Sequence, residues 1–154
     1  MDEALKAFVT IERHRTIVSA TLRAIAYELM RRADLHDQSK LSLDEFEGFA
    51  KINRVGREHE YGSDEYFAAL NAVDPNPIPL HYSRNDHHPE FHAKITYMEF
   101  PELVEMVCDW YAASVTYGKT SFQGSLTVGF DRWPFTVGQR FFINNLATWI
   151  EESE

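Results

Sequence analysis

Leu35-His36-Asp37-Gln38-Ser39-Lys40 runs straight into Leu41-Ser42-Leu43-Asp44-Glu45. The second half of this stretch starts a helix. Ser42 suits the N-cap, Glu45 three residues on completes a capping box, and Leu41 and Phe46 can form the accompanying hydrophobic staple. The first half is therefore a connection that precedes a helix of about residues 42–54. It sets an imidazole beside a carboxylate, His36 and Asp37, with Lys40 three residues later. Imidazole and carboxylate suit a divalent metal, and a lysine suits a phosphate. Residues on such a connection can converge on a site while the helices hold it rigid. Lys40 falls near a helix N-terminus, which also favours anions.

Upstream, Ile11, His14, Val18, Thr21, Leu22, Ile25 and Leu29 recur at helical spacing between about Asp2 and Arg32, and no Gly or Pro interrupts them. One long helix or two abutting helices fit. His14 lies on the apolar stripe and, given the other ligand candidates, is read as a metal ligand. Downstream, Ser63-Asp64-Glu65 starts a shorter helix to about Ala72, and Asp74-Pro75-Asn76-Pro77-Ile78-Pro79 redirects the chain. His59, among charged neighbours, and His92 are read as surface histidines. Three of the seven histidines then fall within eight residues, His81, His87 and His88. If 80–88 is helical, His81, Arg84 or Asn85, and His88 share one face, with His87 pointing elsewhere. His81 and His88 are the expected ligands, with His87 as an alternate. Pro89 disfavours helical backbone at His88.

Pro101 opens a helix to about Tyr117, burying Leu103, Met106, Val107, Trp110, Ser114 and Tyr117. Asp109 borders that face, in a row with Glu102 and Glu105, and is a further ligand candidate. Residues 118–135 hold three glycines and poor helix formers, so an irregular segment or short hairpin is expected. Gly118-Lys119-Thr120 is not a P-loop, because the first glycine of that pattern and the preceding strand are missing. Thr136 and Gln139 start the last helix with another capping box, and Phe142, Leu146, Trp149 and Ile150 are its packing residues.

The bulk properties narrow the classes. A chain of 154 residues with 44% apolar and 14% aromatic side chains is expected to form one globular domain, 1–154. No apolar run reaches the length of a membrane span, and Met1-Asp2-Glu3 is unlike a signal peptide, so a cytoplasmic protein without membrane contact is expected. Cys108, the single cysteine, reads as a small buried hydrophobe in a reducing compartment. A net charge of −9, with no run of Lys and Arg, argues against a duplex nucleic-acid partner. Bound divalent cations would offset part of that charge where an anionic substrate sits.

The order His14, His36-Asp37, His81, His87-His88, Asp109 resembles the HD superfamily of metal-dependent phosphohydrolases. His-Asp-x-x-Lys with an adjacent double His looks most like its two-metal branch. No Gly-Tyr-Pro follows the double His, so the cyclic-dinucleotide specificity of the HD-GYP enzymes does not carry over. The pattern His81-Tyr82-x-x-Asn85-x-His87-His88-Pro89-Glu90, with Asp109-Trp110 later, is similar to an uncharacterised HD-like family associated with phage genomes, which would put the protein in a host cytoplasm. The resemblance implies an all-α, HD-domain-like helical bundle and a divalent cofactor of two ions per chain, drawn from Mn, Fe, Co, Ni, Zn or Mg. It implies His14, His36, Asp37 and Asp109 on the first ion and His81, His87 and His88 toward a second. Asp37 and Lys40 would be catalytic, and Lys40 and Arg84 would hold the phosphate of a small phosphorylated molecule such as a nucleotide. The alternatives are a non-catalytic helical binding module and a di-iron HD-type oxygenase.

Overall fold

A computed structural model describes residues 2–59 and 63–153. Among these the chain is all-helical, with no strand and seven α-helices: α1 Glu3–Leu35, α2 Phe46–Glu58, α3 Asp64–Asn71, α4 Ile78–Arg84, α5 Phe100–Tyr117, α6 Phe122–Arg132 and α7 Val137–Glu152. Short 3-10 turns sit at Gln38–Leu41, Pro89–Phe91 and Ile95–Tyr97. The sequence led to a single domain over 1–154. Contacts within the chain group it into two compact units, Met1–His36 and Asp37–Glu154.

The first unit is one unbroken helix, α1, with Asp2 as N-cap and His36 as C-cap. None of its residues is buried. His14 is exposed and lies 22 residues before His36, about 33 Å along the axis at the helical rise. His14 therefore cannot share an ion with His36 of its own chain, and this correction follows from the helix being continuous. Apolar periodicity had fixed the face of the helix on which His14 lies, not its distance from His36.

The second unit is built on α5, α6 and α7. Met106, Val107, Leu126, Ile143 and Ala147 form the centre of its core, with Ile95, Met98, Leu103, Phe122 and Phe135 around them. α5 starts at a capping box between Glu99 and Glu102 and stops at Gly118, whose φ of 59° suits the residue after a helix. Cys108 is exposed rather than buried. It follows Met106 by two positions, which turns it about 200° round the helix from that core residue. Tyr117, at the end of α5, and Trp149 of α7 are likewise exposed, while Phe142, Leu146 and Ile150 of α7 pack on the core as expected.

The hairpin or irregular segment expected over 118–135 is a helix instead, α6. Ser121 caps it by accepting a hydrogen bond from the Gly124 amide. Its glycines look like loop residues in sequence, but Gly129 is a packing requirement. A Cβ there would come within 2.3 Å of Cη2 of Trp110, whose ring meets the edge of Phe135 at 6.3 Å. Gly129→Ala is expected to destabilise the protein by about 1–3 kcal/mol through overpacking, despite the better helix propensity of alanine. Urea unfolding would read this as a lower midpoint with an unchanged slope.

α2 begins at Phe46, four residues later than the capping box suggested. Ser42 to Glu45 form a turn, in which the Phe46 amide bonds the Ser42 carbonyl at 2.9 Å. Leu41 and Phe46 are both exposed and form no buried staple. The side chain of Glu45 turns away from its own backbone and is fully buried. α4 and the 38–41 turn pack together, and α4 also packs on the 89–91 turn. These three short elements carry the candidate site.

Candidate metal centre

His81 sits in the last turn of α4 and is buried. That helix ends at Arg84, so His81 and His88 do not share a helical face as the sequence suggested. Pro89 holds His88 extended, with φ −87° and ψ 131°, and the chain folds back after Asn85. This return brings the two rings together, Nε2 to Nε2 at 2.9 Å. His87 does not point elsewhere. It is buried, and its Nε2 lies 3.5 Å from Oδ1 of Asp37. The Nε2 of His81 approaches the same oxygen at 3.2 Å.

Asp37 follows His36 directly and has φ 54°, in the left-handed region. Asp tolerates this conformation better than most residues. The backbone reversal there begins the 38–41 turn. Asp37, His81, His87 and His88 thus offer one oxygen and three nitrogens, all within 4.8 Å of one another. Metal bonds of about 2.0–2.2 Å at tetrahedral to octahedral angles put neighbouring donors roughly 2.9–3.5 Å apart. Three of the six donor pairs, at 2.9, 3.2 and 3.5 Å, fall in that range, and the others lie within 4.8 Å. Asp109, on α5, brings a carboxylate oxygen within 4.8 Å of one on Asp37. Buried histidines and carboxylates in this unit can therefore hold a metal ion.

The far sides of the rings reinforce this reading. Nδ1 of His81 lies 3.0 Å from Oε2 of the buried Glu45, which also accepts from Ser39 Oγ at 3.0 Å. Nδ1 of His87 lies 3.1 Å from Oε1 of Glu105. With an ion between the Nε2 atoms and Asp37, Glu45 and Glu105 would accept from the Nδ1–H groups, the tautomer that leaves each Nε2 lone pair free to ligate. Carboxylates behind ligating histidines fix the tautomer and raise ligand basicity. Neither Glu45 nor Glu105 stands out in the sequence. Glu45 looks like half of a capping box, and Glu105 like one of a row of wet-side acids.

Arg84 and Lys40, the expected phosphate ligands, are each paired with a carboxylate. Nη1 of Arg84 donates to Glu45 Oε1 at 3.1 Å and Nη2 to Asp44 Oδ2 at 3.0 Å. Arg84 therefore holds Glu45. Lys40 is paired with Oδ2 of Asp37 and lies over the Phe49 ring, 5.1 Å from its centroid. His92, read as a surface histidine, is half-buried and bonds the Asp86 carbonyl through Nε2 at 2.7 Å.

Burial pushes His88 down to about 3, helped by the neighbouring His87 and His81, while Asp109 and Asp37 act in the opposite direction. A ring that resists protonation remains a neutral ligand. The unfolded chain takes up this proton near the ordinary value of 6.5, and the folded chain does not until about 3. The metal-free protein is thus expected to lose stability steadily as pH falls from 6.5 toward 3. Urea midpoints measured across that window would show it.

A family model matches residues 3–152. The chain belongs to a family of unknown function, DUF5662. The match spans α1 through the last turn of α7, so the cluster on Asp37, His81, His87 and His88 lies inside the DUF5662 segment. No curated protein and no solved structure matches the chain significantly. Among the described residues, no helix is long and apolar enough to cross a membrane.

Proposed function

We propose that the protein is a metal-dependent phosphohydrolase acting on a nucleotide or other small phosphate ester. The observation that carries this reading is the convergence of Asp37 Oδ1 with the Nε2 atoms of His81, His87 and His88, two of these rings being backed by Glu45 and Glu105. The donor set of nitrogen and oxygen, without sulfur, suits Mn, Fe, Co, Ni or Zn, and Mg less well. A bound divalent cation supplies a Lewis acid and a water that ionises near neutral pH. The order His36-Asp37, His81, His87-His88, Asp109, which resembles that of the HD superfamily apart from His14, directs this chemistry toward phosphorus. Asp109, a neighbour of Asp37, would hold a second ion together with it. His36, next to Asp37 in the chain, remains a candidate ligand for it.

In this reading Glu45 and Glu105 hold the rings in the ligating tautomer. Arg84 keeps Glu45 in place. Lys40 is partly exposed beside Asp37, where its ammonium group can turn to a phosphate oxygen and offset charge that develops in the transition state.

The test is phosphate release from a panel of nucleotides, with Mn, Fe or Zn supplied, beside the Lys40→Ala variant. Turnover of at least one nucleotide is expected, and Lys40→Ala should keep its metal while losing roughly a hundredfold in kcat. A metal-loaded protein that hydrolyses no phosphate ester in the panel would remove the hydrolase reading and leave a helical metal-binding module.

A further inference from the structure

α1 has nothing to pack on within its own unit, yet it carries a continuous apolar stripe. Phe8, Ile11, Val18, Leu22, Ile25 and Leu29 fall on an arc about 100° wide, at alternating spacings of three and four residues. Small alanines widen the arc, and Arg15 is its one charged member. The first five of these apolar side chains are exposed, Leu22 by 62%. They leave roughly 500 Å² of apolar surface on each helix, at the upper end for a monomer, and two copies approach the roughly 1,000 Å² of a specific interface.

The stripe also has a centre. Ile11 and Ile25 lie equally far from Val18, and Phe8 with Leu29 and Arg15 with Leu22 lie within one residue of doing so. It therefore reads alike in both directions, as a two-fold interface requires. Charge selects the direction. The first third of α1 and its cap hold Asp2, Glu3 and Glu12 against Lys6, and are net acidic. The remainder holds Arg13, Arg15, Arg23, Arg31 and Arg32 against Glu28 and Asp34, and is net basic. Antiparallel copies lay acidic end on basic end. They also set Arg15 against the partner's Leu22, where its stem can lie on apolar surface while Glu12, 2.6 Å from its guanidinium, holds the charge at the rim. Parallel copies would stack Arg15 on Arg15 and like ends on like ends. A lipid surface fits less well, because Lys6, Arg15 and Arg31 are each paired with a glutamate one turn earlier.

We infer that α1 is a self-association helix, and that two copies of this chain pair through it antiparallel, with the two-fold axis at Val18. The apolar stripe gives the association its strength, and the charge asymmetry gives it direction.

The experiment is sedimentation of the full chain over a range of concentrations, followed by cross-linking of single-cysteine variants made on Cys108→Ser. A dimer is expected, and Leu22→Glu should shift it to monomer while metal content and far-UV circular dichroism stay unchanged. Val18→Cys should cross-link to its own copy through a short bismaleimide, and Ile25→Cys should not. A chain that sediments as a monomer at every concentration overturns the proposal, the stripe then being covered by its own chain or by solvent. A dimer indifferent to Leu22→Glu overturns it too. Equal cross-linking at positions 18 and 25 overturns the antiparallel arrangement.

Discussion

Asp37→Asn is expected to release the metal and abolish turnover, with little change in the fold. Oδ1 of Asp37 is approached by two imidazole nitrogens, at 3.2 and 3.5 Å, and Oδ2 pairs with Lys40. The carboxylate is thus the only negative charge in the four-donor cluster, and an amide cannot replace it. Loss of an outer partner typically costs ten- to a hundredfold in metal affinity, and loss of this ligand should exceed about a hundredfold. Asparagine is the informative change because Asp37 is left-handed, at φ 54°. Alanine there would add about 1–2 kcal/mol of backbone strain and mix a folding defect with the loss of charge. Elemental analysis of the purified variant, beside activity and thermal unfolding, separates the two. Metal retained at the wild-type level in Asp37→Asn would refute the assignment of the centre.

Glu45→Gln is expected to weaken both stability and metal binding, although Glu45 is not a ligand. Its two oxygens accept from Ser39 and Arg84, and Oε2 lies 3.0 Å from Nδ1 of His81, the atom that carries the proton in the ligating tautomer. Glutamine turns one of those acceptors into a donor. If the NH₂ faces Arg84, two donors meet at a buried position. If it faces His81, the ring must give up its Nδ1 proton and carry one on Nε2, the atom needed for the metal. Two donors meeting at the buried Glu45 position cost about 1–3 kcal/mol of stability, the exposed Arg84 being free to turn to solvent. Metal affinity should fall by about ten- to a hundredfold. Titration with Zn or Mn gives the second number and urea unfolding the first. Glu105→Gln should repeat the metal effect through His87. An unaltered metal affinity in both variants would mean that these carboxylates do not orient the rings.

The parts of the site legible in sequence are those whose signal is chemical identity. His36-Asp37, the double histidine before Pro89 and Asp109 stand out because such residues are uncommon together. Pro89 also announced the extended backbone at His88. The supporting shell was hidden because its residues satisfy a local rule equally well. Ser42 and Glu45 have the spacing of a capping box, and nothing nearby in sequence reveals that Glu45 is used 36 residues away, at His81. Glu105 shares a helical row with other acids, and only the packing of the 85–88 return against α5 gives it a partner. Helix α6 was missed for a related reason. Gly129 lowers local helix propensity, but the ring of Trp110 occupies the space where a side chain would go. Tertiary packing outweighs propensity there.

A helix of 33 residues is a rod about 50 Å long. Pairing about its midpoint would leave the two chains' Asp37 residues at opposite ends of that rod, roughly 50 Å apart. Each candidate metal centre would then stand alone, and neither could reach a ligand held by the other. The pair would behave as two independent workstations on one beam, joined for reach or anchorage and not for shared chemistry.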